Sequence, residues 1–182
     1  MPRKAILTKD VIVAAAMKIA RKNGLEAVTA RALAHALGCS LSPLFTVFDN
    51  MDSIKEEVRK EARARFLRDA EDSLKEGDPF KEYGIRMIRF AKQDPALFSV
   101  AFLQPRMNKD HVDFVFKQSL EYTRNKYFLN DEQSSRLIQM MWVFVCGLAL
   151  LFSSGAEPMD DGQVDRILTM QLQCVLNSFK EE

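Results

Sequence analysis

Cysteine is scarce and scattered in this 182-residue chain: Cys39, Cys146 and Cys174 are odd in number and far apart. That excludes a disulfide framework and points to a reducing, cytoplasmic setting. Glycine and proline number only seven and six, so turns are few and regular elements must be long. The longest apolar run, 140–152, has 13 residues, short of the ~20 that a bilayer-spanning helix needs. It suits a helix buried on all sides, and no membrane partner is expected. Val11 to Met17 is apolar after a basic start, but Asp10 precedes it and Lys18 interrupts it, which argues against a signal peptide. Only two histidines are present, His35 and His111, with no cysteine or carboxylate cluster at ligand spacing. No metal is expected. A glycine-rich phosphate loop, a nucleophile elbow and a Glu-x-x-His pair are all missing, so neither an enzyme nor a cofactor is expected.

What the chain does have is helical spacing. Apolar residues make up 47% and strand-like alternation of useful length does not occur. Thr8 caps a first helix that carries Ile12, Ala15, Ala16, Ile19 and Ala20 on one stripe and stops at Asn23-Gly24. Thr29 caps a second, over 30–37, ended by Gly38. Ser40 caps a third, from Leu41 to Val47 or Phe48. A long helix follows over about 52–75. Asp78-Pro79 and Asp94-Pro95 then repeat one start signal, a capping Asp before a first-turn Pro. Further helices are predicted at about 79–93, 95–103, 110–127, 132–154 and 161–179. The expectation is all-α, about nine helices, with a three-helix helix-turn-helix domain at 1–50 and a ligand-binding and dimerisation bundle at 51–182.

Charge is uneven although the net is +1. Residues 1–55 carry eight Lys and Arg against four Asp and Glu, and the remainder eighteen against twenty-one. A basic end on a slightly acidic body suits a small DNA-reading domain, and equally suits ordinary surface scatter. Residues 29–48 weigh more. Two short helices around a tight turn make a helix-turn-helix, with Ala34 and Gly38 small at the crossing and Leu33, Leu37, Leu44 and Phe48 as core. Ser40, Leu41, Ser42, Pro43, Thr46 and Val47 are then left to face a major groove. They include no Arg, Lys, Asn or Gln, so T-rich contacts and modest specificity per half-site are expected, with Arg3 and Lys4 as an arm in an adjacent groove.

The stretch 8–54 resembles the DNA-binding domain of the TetR/AcrR family of transcriptional regulators, on Ala15-Ala16, Gly24, Thr29, Arg31, Leu33-Ala34, Gly38-Cys39-Ser40, Leu44-Phe45, Phe48 and Asn50. Tyr83, Phe90-Ala91, Asp94-Pro95, Leu97-Phe98, Phe102, Trp142, Phe144 and Cys146-Gly147-Leu148-Ala149 resemble the ligand domain of one branch. The resemblance implies that Thr29 and Arg31 hold a phosphate, and that Phe45 and Asn50 belong to the DNA interface. Phe45 stands where the family usually has a phosphate-contacting Tyr, Met51 where it often has a Lys, and Cys146 where the usual residue is His. It also implies an apolar cavity for a small apolar or aromatic effector among Met87, Phe90, Phe98, Phe102, Phe114, Trp142 and Cys146. Arg86 and Arg89 are candidate partners for an anionic group or plain surface.

The final two helices argue for a homodimer. The first is apolar all round. The second repeats Val164, Ile167, Leu168, Gln171, Leu172, Val175 and Leu176 at three and four. The resemblance implies that the two helices form a four-helix interface between copies, the alternative being a monomer with an unusually large core. The function so implied is a regulator, by default a repressor, that binds double-stranded operator DNA as a homodimer and is released by its effector. The alternative is a helical ligand-binding or adaptor protein of the same fold with weak or no specific DNA binding.

Overall fold

The computed structural model describes residues 7–71, 79–103, 109–156 and 159–180. Among them are eight α-helices, two short 3-10 turns and no strand. In order these are α1 (Lys9–Asn23), a first 3-10 turn (Leu25–Ala27), α2 (Ala30–Leu37), a second 3-10 turn (Ser42–Thr46) and α3 (Met51–Glu71). Then come α4 (Pro79–Gln93), α5 (Pro95–Phe102), α6 (Lys109–Tyr127), α7 (Asp131–Ser154) and α8 (Asp161–Ser178). The all-α architecture is as expected, and the count of eight against about nine turns on one segment.

That segment is 41–48. Its five helical residues are 3-10, and Leu41, already helical in backbone, precedes them without a side-chain cap. Ser40 therefore caps nothing here. Pro43 removes one backbone donor, and the Thr46 hydroxyl donates back to the Pro43 carbonyl at 2.8 Å. Short 3-10 pieces of this kind are common as connectors between helices.

The described residues up to Arg65 join those of 96–104 in one compact unit, and the remainder form a second. α3 belongs to the first as far as Arg65 and to the second from Phe66. In the first unit Ile12, Ala16, Leu25, Val28, Leu33, Leu44 and Phe48 are buried, with Ile54, Val58 and Ala62 of α3 and Leu97 and Phe98 of α5. Two ion pairs tie α1 and the first 3-10 turn to α3. Lys9 reaches Glu57 at 3.0 Å and Lys55 reaches Glu26 at 2.9 Å.

In the second unit α7 packs against α4, α6 and α8. Gly84 allows α4 to come close, since a Cβ there would stand 3.0 Å from Val145 Cγ2. Capping boxes open α7 (Asn130 with Gln133) and α8 (Asp160 with Gln163). By length and composition alone α7, with 24 residues, could cross a membrane. The 13-residue run understated it, because Ser134, Ser135 and Gln139 dilute the apolar character without breaking the helix. Leu137, Ile138, Met141, Val145, Leu148, Ala149 and Phe152 are buried, but Met140, Val143, Leu150 and Leu151 are exposed, so one face is covered and the helix is not buried on all sides as the sequence suggested.

Candidate functional site

α2 begins at Thr29, whose Oγ1 accepts the Ala32 N–H at 3.2 Å. Other first-turn amides keep no intrahelical partner, and the exposed Arg31 lies in the same turn. At the other end Gly38 takes the left-handed conformation (φ 62°). Its N–H reaches the His35 carbonyl, and the Cys39 N–H reaches the Ala34 carbonyl at 3.0 Å. This Schellman ending turns the chain within two residues.

The segment that follows has two faces. Leu44 and Phe48 are buried anchors. Ser40, Leu41, Ser42, Phe45, Thr46 and Val47 are exposed, and Pro43 is half-buried. Leu41, Phe45 and Val47 remain 48%, 43% and 36% exposed, large apolar side chains that this unit leaves uncovered. Asn50 is the cap of α3: its Oδ1 accepts the Ser53 N–H at 2.9 Å, and the Ser53 hydroxyl donates to its carbonyl at 2.7 Å. Arg3 and Lys4 lie outside the described residues.

The second unit holds a chain of rings. Phe66 of α3 meets Tyr83 of α4 edge-on, with centroids 5.3 Å apart and planes at 89°. Phe66 also meets Phe90 at 5.5 Å, and Tyr83 meets Trp142 of α7 at 6.1 Å. Met87 is buried on the same helix as Tyr83 and Phe90. Cys146, one turn beyond Trp142, is half-buried, and burial pushes its thiol up to about 11. Burial also holds the Tyr83 phenol well above its ordinary value, with a smaller contribution from the charge of an ionised Cys146. Phe98 and Phe102 are buried with centroids 5.4 Å apart, but on α5 in the first unit. The side chain of Phe114 lies outside the described residues.

A cavity of about 20 Å³ in the second unit is lined by Lys81, Gly84, Met141, Val145, Leu168 and Leu172. It has room for one water, against the ~300–1,000 Å³ of ligand pockets. Among the described residues no group of three or more His, Cys, Asp or Glu is placed to hold a metal.

Two solved structures superpose on nearly the whole chain. One is the multidrug-binding protein EbrR, crystallised with imidazole, at 15% identity and a TM-score of 0.63, covering 90% of this chain and 93% of EbrR. The other is a protein of Vibrio parahaemolyticus assigned to the TetR family of transcriptional regulators, at 17% identity and a TM-score of 0.62, covering 91% and 97%. The fold is that of the TetR family. No protein-family model and no curated protein matches the sequence.

Phe45 is exposed and Met51 half-buried, and neither carries a polar group for a phosphate. Of the ring cluster, sequence reasoning nominated Phe90 and Trp142 as ligand contacts and missed Phe66. The signal was present: Ile54, Val58, Ala62 and Phe66 recur every fourth residue on an otherwise polar α3, and all four are buried. Arg89 is engaged at the surface, 2.9 Å from Asp161. On α8, Val164, Leu168, Leu172 and Val175 are buried within the chain's own second unit, which removes them from the surface the sequence pattern reserved for a partner.

Proposed function

We propose that this chain is a ligand-responsive transcriptional regulator, a repressor by default, that binds palindromic operator DNA as a homodimer. The observation that carries the reading is the outward face of residues 40–47, held by buried Leu44 and Phe48 beside the first turn of α2. Thr29, Arg31 and free amides of α2 serve a phosphate there, Arg3 and Lys4 reach a neighbouring groove, and residues 40–46 meet base edges. Asn50 fixes where α3 begins, beside that surface.

The dimer is supported by a face rather than by the buried stripe of α8. Met140, Val143, Gly147, Leu150 and Leu151 recur at three and four along α7 and are exposed, Val143 by 70%, with Met170 exposed on α8. An apolar face of this kind calls for cover, and a second copy supplies it. The effector is a small apolar or aromatic molecule, the class that the rings around Tyr83 and Trp142 suit. Its entry repacks those rings, which stand against one another with centroids 5.3, 5.5 and 6.1 Å apart. Phe66 is a member of the cluster and lies on α3, so a repacked ring acts on the helix that starts at Asn50. A dimer must hold its reading segments about 34–36 Å apart to meet successive major grooves, so a small shift lowers affinity.

The test is selection of random duplexes by the purified protein, followed by a salt titration on the enriched sequence. A palindromic winner is expected, with affinity falling steeply in salt and a slope reduced by about one in Arg31→Ala. Failure to enrich any duplex, or binding indifferent to Arg31, would replace this reading with a ligand-binding adaptor of TetR fold.

A further inference from the structure

The candidate reading surface is poor in hydrogen-bond donors and rich in carbon. Between Gly38 and Phe48 there is no charged side chain and no Asn or Gln. The bidentate pairs that single out guanine or adenine are therefore closed to it. Three hydroxyls remain, on Ser40, Ser42 and Thr46, and the Thr46 proton is already committed to the Pro43 carbonyl at 2.8 Å. Pro43 brings no backbone N–H. Against these stand Leu41, Phe45 and Val47, each more than a third exposed, on a turn anchored from behind by Leu44 and Phe48. The apolar group that a base pair offers to the major groove is the pyrimidine C5-methyl, carried by thymine and equally by 5-methylcytosine.

We propose that Leu41, Phe45 and Val47 read pyrimidine C5-methyl groups, so that this chain selects DNA by the placement of methyls and accepts 5-methylcytosine where it accepts thymine. The proposal rests on the DNA-binding reading above and gives it a chemistry. Phe45 becomes a base-reading residue where a phosphate contact was expected. A phenyl ring has no hydrogen to donate to a phosphate, but it presents a broad apolar surface to a methyl. Each methyl so covered is worth about fourfold in affinity. Contacts of this kind carry no charge, so they change affinity without changing its salt slope.

The experiment compares the selected duplex with a copy in which the half-site thymines are replaced by deoxyuridine. That exchange deletes the methyl and leaves every hydrogen-bonding edge in place. A second arm replaces the same T·A pairs by C·G, with and without 5-methylation of the cytosine. Binding is expected to weaken about fourfold per facing methyl on uracil, and 5-methylcytosine to recover affinity lost with plain cytosine. Phe45→Ala, Leu41→Ala and Val47→Ala, all at exposed positions and checked by thermal melting, are expected to shrink the thymine-to-uracil ratio toward one. Equal affinity for thymine and uracil duplexes would overturn the proposal while leaving DNA binding intact. So would a thymine preference that survives in all three variants, since the shape of the DNA would then be its source. An affinity gained from thymine alone, with none from 5-methylcytosine, would overturn the claim that the two are equivalent. Binding to no duplex at all overturns the DNA reading itself.

Discussion

Thr29 is a residue with two roles that can be measured apart. Its Oγ1 caps α2 through the Ala32 N–H, and removal of such a cap costs about 1 kcal/mol. Thr29→Ala is expected to lower the urea midpoint accordingly, and Thr29→Ser to restore most of it. Loss of DNA affinity beyond what the small unfolded fraction explains would assign the hydroxyl its phosphate role as well. Cys146 makes a pH prediction. Its folded thiol titrates at about 11 against an ordinary 9.0, so between those values the unfolded chain has lost its proton and the folded chain keeps it. The unfolded state then binds fewer protons, and stability falls as pH rises through that window; below pH 9 the contribution is complete. Tyr83, shifted upward by its own burial, adds a loss of the same sign at higher pH. Urea unfolding at pH 8 and pH 10.5 should show a shallower decline in Cys146→Ala than in the parent chain, and identical declines would refute the burial argument. Residues governed by near neighbours were readable in sequence: Thr8, Thr29 and Gly38 declare themselves because a cap or a left-handed turn depends on three or four adjacent residues. Phe66 and Cys146 were not, since what surrounds them comes from helices far away in the chain.

At the scale of elements, α3 and the 40–48 segment show where pattern reading stops. α3 reads as a polar helix because its buried apolar stripe is one residue wide: Ile54, Val58, Ala62 and Phe66 are covered while charged residues crowd between them, Arg63 itself buried. Phe66 touches both Tyr83 and Phe90. Phe66→Ala is expected to cost about 3–5 kcal/mol in denaturant unfolding, and Phe66→Leu much less, because the volume is largely kept. A loss under 1 kcal/mol for the alanine variant would mean the ring cluster is not packed as described. The second 3-10 turn was read as an α-helix because hydrophobic spacing over five residues cannot separate a period of 3.0 from 3.6. α8 teaches a different limit. Its spacing of Val164, Leu168, Leu172 and Val175 says that one face is covered, and cannot say by what; the cover is the chain's own second unit. Where α4 meets α7, a Cβ on Gly84 would stand 3.0 Å from Val145 Cγ2. Gly84→Leu must displace that side chain or the helix, an overpacking cost of about 1–3 kcal/mol that outweighs any gain in helix propensity.

For the whole molecule, the exposed apolar face of α7 decides whether one copy is a functional unit. Val143 is 70% exposed, so an acidic side chain there leaves the fold of a single chain undisturbed and places like charges opposite one another across any two-fold contact. Val143→Glu is expected to keep the helical content of the parent yet to elute as a 20.8 kDa monomer, with unfolding that no longer depends on protein concentration. Under the proposed function, operator affinity follows from assembly. Two joined reading segments bind a palindrome with the second contact intramolecular, an advantage of roughly 10²–10⁴ over one half-site. The variant should therefore lose about that factor on a palindrome and little on an isolated half-site. If the parent chain is itself a monomer at micromolar concentration, the dimer fails and the exposed stripe belongs to another partner. If Val143→Glu is monomeric but binds the palindrome undiminished, pairing of copies is real and DNA reading does not depend on it. Only a loss on the palindrome that spares the half-site joins the α7 face to the reading surface of residues 40–47 as parts of one device.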